Sequence, residues 1–172
     1  AFDISEPMLA QAIGKGSRVD FLSGALSDLR CSSFSFGYSL FNVVNHITEI
    51  DDLTNFFSQI NQRIKVGSYY FFEFWNRAAV LKMPPVSVTR VIHFDRKKLI
   101  RKADPETTHL KDGLLNIKYQ IEISESYGEK SQFNSFHKLK LYDLGDFQNC
   151  LKVSGFEINF CLKNYIYLKT FL

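Results

Sequence analysis

Phe2-Asp-Ile-Ser-Glu-Pro-Met-Leu9, close to the start of the chain, is the stretch whose reading decides the fold. A two-residue apolar stub ends on Asp3, and Ser5-Glu6-Pro7 then opens a helix. Ser5 stands at the cap position, Pro7 in the first turn and Gly14 at the stop, with Met8, Leu9 and Ile13 near one face. An acidic residue that closes a strand just before a helix sits at the strand's C-terminal tip. In an α/β sheet that tip is where a carboxylate accepts both hydroxyl hydrogens of a ribose diol. The strand and glycine-rich turn that precede such a tip are expected to lie outside these 172 residues.

The rest of the chain continues an α/β pattern. Residues 18–23 read as a strand, and residues 34–41, nearly free of charge, as a strand covered on both faces. Thr48 with Asp51 resembles a capping box, and Ile50, Leu53, Phe57, Ile60 and Ile64 then recur at helical spacing up to Gly67, the expected terminator. The aromatic run 68–75 is the next strand. A short helix over 76–83 stops at Pro84-Pro85. Residues 86–94, 114–124 and 133–142 alternate as an antiparallel meander. Asp143 caps a helix closed by Gly155, and strands over 156–162 and 165–171 form a hairpin around Lys163-Asn164.

Composition bounds the function. A chain of 172 residues, 45% apolar, with 17 Phe and 8 Tyr, folds as one globular domain. A net charge of +3 admits an anionic ligand but disfavours nucleic acid, which calls for basic residues gathered on one surface. The only dense basic run, Arg96 to Lys102, reads as a solvated strand or turn. Cys31, Cys150 and Cys161 are odd in number and lack CxxC spacing, so reduced core thiols are expected, with no disulfide framework and no metal site. The longest apolar stretch, 34–47, is broken by polar residues and too short for a bilayer, and the expected setting is soluble and cytoplasmic.

Four segments then carry a resemblance. Phe2 to Leu9 is similar to a ribose-binding tip with its helix. Val19-Asp-Phe-Leu-Ser-Gly-Ala-Leu-Ser-Asp-Leu29 resembles a third strand passing beneath an adenine. Ser39-Leu-Phe-Asn-Val-Val-Asn-His46 resembles a fourth-strand terminus, and Ile64-Lys-Val-Gly-Ser-Tyr-Tyr-Phe-Phe-Glu-Phe-Trp-Asn76 a helix exit and fifth strand. His137-Lys-Leu-Lys-Leu-Tyr142 and Gly155-Phe156 resemble the return from a substrate-capping insert. In this order the chain resembles a class I S-adenosylmethionine-dependent methyltransferase of the small-molecule type, with a β-rich lid insert and without the N-terminal glycine-rich segment.

The resemblance implies an α/β fold: a Rossmann-like methyltransferase sheet with a C-terminal antiparallel hairpin, an antiparallel β insert, and its first strand missing. One domain would span 1–172, with 1–83 and 143–172 as core and 84–142 as lid and substrate insert. The implied cofactor is S-adenosylmethionine, and the implied activity is methyl transfer to a small-molecule amine or hydroxyl acceptor, the chain being N-terminally truncated. The competing implication is a noncatalytic methyltransferase-like remnant or binding module. A nucleic-acid methyltransferase ranks below both, because no acidic-proline tetrapeptide follows the fourth strand. The first strand of this fold is central, and each buried backbone group left unpaired costs about 1–3 kcal/mol. An upstream segment or a second chain is therefore the expected partner for that gap.

Residue roles follow from the resemblance. Asp3 would hold the ribose, with Ile4 and Met8 beside it. Ala25 and Leu26 would line the adenine, and Leu40 and Phe41 the methionine end. Asn42, Trp75, Asn76 and Arg90 would meet the acceptor, Arg90 through an anionic group, and His46 and His137 would be catalytic, as a histidine serves as a base at neutral pH. Two positions depart from the pattern, since Ala25 and Ser35 stand where acidic residues are common. Structural alternatives remain open at several sites: Asp3 and Ser5 as helix caps, Trp75 as core, His46 as a helix-entry residue. His93 and His109 are expected at the surface.

Overall fold

The computed structural model describes residues 1–16, 18–29, 34–94, 96–125, 130–162 and 165–170. Strand β1 (Phe2–Asp3) leads into helix α1 (Glu6–Gly14) and pairs in parallel with β2 (Leu22–Ser23). The strand expected over 18–23 is thus confined to its last two residues. Ser5 makes no side-chain cap; instead Oδ1 of Asp3 accepts the Ser5 N–H at 2.8 Å.

Strand β3 (Phe34–Ser39) runs parallel to β4 (Ile64–Glu73), with helix α2 (Ile50–Asn61) between them. Helix α2 starts one residue later than its capping signal suggests and ends earlier than its periodicity suggests. Glu49, not Thr48, stands at its cap position, and the Thr48 hydroxyl turns to the Glu49 carboxylate. Gly67 does not end the helix. It lies inside β4 at φ +78°, within an irregularity where two steps along β3, from Phe34 to Phe36, face five along β4, from Ile64 to Tyr69. A left-handed φ inside a bulged strand suits glycine, which has no Cβ to clash.

Helix α3 (Arg77–Lys82) follows, then four strands in simple antiparallel succession: β5 (Val88–Phe94), β6 (Lys97–Glu106), β7 (Leu114–Glu125) and β8 (Lys130–Lys140). The basic run therefore builds most of β6. It is not uniformly solvated: Lys98 and Lys102 are exposed, while Leu99, Ile100 and Arg101 are half-buried. Helix α4 (Leu144–Val153) then leads to β9 (Phe156–Leu162) and β10 (Tyr165–Thr170), antiparallel to one another. At the start of α4 the Asp143 N–H donates to the Asp146 carboxylate at 2.7 Å. Lys163 and Asn164 lie outside the described residues.

The sheet order is β3-β4-β10-β9, with β10 antiparallel to β4, beside the separate four-stranded sheet β5-β6-β7-β8. Mixed sheet, C-terminal hairpin and antiparallel insert are all as the sequence implies. Two apolar clusters hold these layers. Phe57 of α2 meets the rings of Phe72, Phe147, Tyr70 and Phe156 at centroid separations of 5.1–6.4 Å, in tilted and edge-on geometries that favour aromatic pairs. Val80, Leu110, Leu115, Ile117, Leu139 and Leu141 form the second cluster beneath the insert sheet, with Trp75 and Tyr119 packed against it. Cys150 belongs to the first cluster as a free thiol, and burial pushes its pKa up to about 11. Cys161 is also free but exposed, so it is not the core thiol expected; Cys31 lies outside the described residues. No helix among the described residues is long and apolar enough to cross a membrane.

Candidate functional site at the strand tips

β3 and β4 run parallel with Ser39 beside Phe72, so both present their C-terminal ends at one edge. The chain leaves β3 through Phe41 and Asn42, both at φ +59°, a left-handed conformation costly for residues carrying a Cβ. Two interactions hold this turn. The Phe41 N–H donates to the Glu73 carboxylate at the tip of β4, and the Asn45 N–H donates to the Asn42 carbonyl at 2.9 Å.

A single 3-10 turn follows, Val43–His46, and its middle is anchored: Val44 and Asn45 are fully buried. The Asn45 carboxamide accepts the Trp75 N–H at 2.8 Å and donates to the carbonyls of Trp75 at 3.3 Å and Lys140 at 2.7 Å. One buried side chain thus ties the tip of β3 to the exit of β4 and to the end of β8. The Tyr142 hydroxyl, donating to the Ile47 carbonyl at 2.5 Å, fastens the same junction.

With Asn45 fixed, His46 faces the insert sheet. Its ring lies 5.6 Å from that of His137 on β8, which in turn meets the Tyr119 ring edge-on at 5.1 Å. The Arg101 guanidinium covers Tyr119 at 4.5 Å from the ring centroid. His46 keeps an exposed edge, but partial desolvation, and then the neighbouring His137, hold its pKa below the ordinary histidine value. An imidazole kept neutral near pH 7 can accept a proton from a bound hydroxyl or ammonium.

Arg90 on β5 stands directly opposite Arg101 on β6, so both side chains belong to one face of the insert sheet. Among the described residues neither guanidinium has a carboxylate within ion-pair distance. That face, with Tyr119 and His137, is therefore able to receive an anionic group.

A second group gathers where β1 and β2 end. The parallel pair sets Asp3 beside Ser23, which brings Ile4 near the turn carrying Ala25. Asp3 is exposed, and its Oδ2 makes no hydrogen bond among the described residues. Ile4 and Met8 are exposed; Ala25 donates its N–H to Asp28 at 2.8 Å; Leu26 is half-buried against the main core. At the other tip Leu40 is exposed and Phe41 reaches 85% exposure. Asn76 spends its Oδ1 capping α3 through the Ala79 N–H at 3.1 Å, and Trp75 packs on the second cluster. Among the described residues, no hydrogen bond or ion pair joins the Asp3 group to the His46 group. His93 is exposed as expected, and His109 pairs with Asp112 at the surface, 3.3 Å away.

Sequence reading passed over Asn45, Glu73, Tyr119 and Arg101. Tyr119 carried a usable signal, since it alternates with Ile117 and Ile121 and so shares their inward face. Arg101 was hidden inside the basic run. Nothing local marks Asn45 or Glu73, because their partners are 30–95 residues away in the chain.

Comparison with known proteins agrees on the fold. No family model and no curated protein matches the sequence. Among solved structures, the chain is similar to a S-adenosylmethionine-dependent methyltransferase from Clostridium acetobutylicum, at 18% identity over 100% of this chain and 74% of that one, with a TM-score of 0.78. It is similar to the sugar N-methyltransferase KedS8 from Streptoalloteichus at 13% identity, covering 99% and 70%, TM-score 0.85. It also resembles CalS10, an amino pentose methyltransferase from Micromonospora echinaspora solved with S-adenosylmethionine bound, at 13% identity, 98% and 72% coverage and TM-score 0.74. The chain has the class I S-adenosylmethionine-dependent methyltransferase fold.

Proposed function

We propose that this protein is an S-adenosylmethionine-dependent methyltransferase acting on a small-molecule amine or hydroxyl acceptor. The observation that carries the reading is the meeting of His46, from the exit of a core strand, with His137, from the insert sheet, beside the open tips of β3 and β4. In open α/β sheets ligands settle at the carboxyl ends of the strands, and the shared fold supports the cofactor class. The residues present fit that cofactor: among the described residues Asp3 keeps one carboxylate oxygen free for ribose hydroxyls, and Ile4, Met8, Leu40 and Phe41 offer exposed apolar surface. Ala25 and Leu26 complete the adenine side. When bound, the cofactor supplies an electrophilic methyl group on a sulfonium.

The chain's own contribution is positioning and proton handling. Asn42, Trp75 and Asn76 frame the acceptor at the strand tips, and Arg90 with Arg101 receives an anionic substituent. His46, kept neutral, takes the proton of a hydroxyl or ammonium acceptor, and the His137 ring, packed edge-on 5.6 Å away, orients it. Residues 1–83 and 143–172 act as one methyltransferase-like core, and 84–142 as the lid and substrate insert of the same domain.

The finer reading is that a glycine-rich strand, upstream or on a second chain, completes the sheet. Its support is the open edge of β3, the separateness of the β1–β2 pair, and the exposure of Phe36, Tyr38 and Tyr69 on one face of a parallel pair. Parallel strands are ordinarily covered on both faces.

Calorimetric titration of S-adenosylmethionine tests the reading, using the protein with whatever its reading frame places ahead of Ala1. Asp3→Ala is expected to weaken binding at least tenfold. Equal affinity in the variant removes the ribose role, and absence of binding to the unaltered protein favours the noncatalytic remnant.

A further inference from the structure

Glu73 is the last residue of β4, between two inward neighbours: Phe72 is fully buried and Phe74 1% exposed. Strand alternation sends the Glu73 side chain to the opposite face, away from the main core. There one carboxylate oxygen, Oε1, accepts the Phe41 N–H. Among the described residues the other makes no hydrogen bond or ion pair, and no lysine or arginine stands within ion-pair distance of the group.

The partner of that hydrogen bond is itself unusual. Phe41 and Asn42 are successive non-glycine residues held at φ +59°, at the exit of a core strand, and the Phe41 ring stands in solvent. Such strain persists only where surrounding structure enforces it, and it gathers at ligand sites. A half-buried carboxylate with one oxygen bonded to the backbone of a residue whose ring is exposed, and the other free among the described residues, offers two elements that recognise an organic ammonium. The oxygen offers a charge-assisted hydrogen bond, and the ring face attracts the cation.

We propose that Glu73 is the acceptor-recognition residue of this site and that it selects an amino group over a hydroxyl. The inference rests on the proposed function for what enters the site. It goes further by committing to a cationic amine as the group recognised. A hydroxyl can donate to the same oxygen but brings no charge, so the preference for the amine belongs to the carboxylate.

The Phe41 amide is a local reporter because its N–H is bound to the same carboxylate. In protein labelled with 15N-phenylalanine, that amide is followed by NMR while cyclohexylammonium chloride or cyclohexanol is added. Unaltered protein is expected to bind the ammonium at least fivefold more tightly than the alcohol, both shifting the Phe41 signal. Glu73→Gln keeps an oxygen for the Phe41 N–H and removes the charge, and is expected to bring the ratio to within twofold of unity. Glu73→Asp, which keeps the charge, retains an amine preference, and serves also if the glutamine variant fails to fold. Equal binding of the two probes by unaltered protein, an undiminished preference in Glu73→Gln, or loss of preference in Glu73→Asp each overturns the proposal. Cofactor titration is a separate measurement, so failure of S-adenosylmethionine to bind would strike the proposed function while leaving the amine preference to be read on its own.

Discussion

Replacing Asn45 by alanine tests whether one carboxamide fastens the insert sheet to the core. The side chain is fully buried and makes three hydrogen bonds, to the Trp75 N–H and to the carbonyls of Trp75 and Lys140. Each such bond is worth about 0.5–1.5 kcal/mol net, and a buried donor left without a partner costs about 1–3 kcal/mol. With the Trp75 N–H stranded at the junction, Asn45→Ala should lose about 3 kcal/mol. That is a large part of the about 5–15 kcal/mol that holds a domain together. The midpoint of thermal unfolding should fall by about 6–12 °C for a chain of this size. Asn45→Asp is the companion variant. It can still accept from Trp75 N–H but sets a carboxylate against two carbonyls, so its loss should equal or exceed that of alanine. Urea unfolding followed by far-ultraviolet circular dichroism reads both. A loss under about 1 kcal/mol in both variants would show that water or a rearranged backbone replaces the amide, and the staple would cease to explain how His137 is held against His46.

Stability should also depend on His46 protonation. Its native pKa is lowered, so below the ordinary histidine value near 6.5 the unfolded chain binds the proton more readily. Stability is then full above that value and declines as pH falls through it toward the lowered native pKa. Urea unfolding between pH 5 and 8 should show this slope, flattened in His46→Asn; an unchanged slope would assign it elsewhere. Gly37→Ala should be destabilising by about 1–3 kcal/mol through overpacking, because its Cβ would lie 2.9 Å from Tyr70 Cδ2 and 3.1 Å from Ile64 Cδ1. A variant as stable as the parent, by the same unfolding assay, would mean that the Tyr70 ring yields freely.

The sequence by itself determined the order of the core elements and the split between a mixed core sheet and an antiparallel insert, but not the strand β6 that the basic run builds inside that insert. Those features rest on local physics. The stripe Leu53, Phe57 and Ile60 can bury one face only as a helix, the alternation of Ile117, Tyr119, Ile121 and Ile123 only as a strand, and Pro84-Pro85 can continue neither. Where local signals compete, the three-dimensional packing decided. Ile64 fits the helical stripe but is buried in β4, because Gly67 lets that strand bulge and bring it against Phe34. Thr48 lost the cap position to Glu49 although threonine is the better cap, its hydroxyl bonding the Glu49 carboxylate instead of a backbone N–H of the helix. The site shows the same division. His46 and His137 were legible as polar residues at element ends, yet their meeting at 5.6 Å depends on Asn45 binding backbone 30 and 95 residues away. Glu73 became a candidate only when parallel pairing set it beside the Phe41 N–H, since a carboxylate at a strand end carries no mark in sequence of the strand it will adjoin.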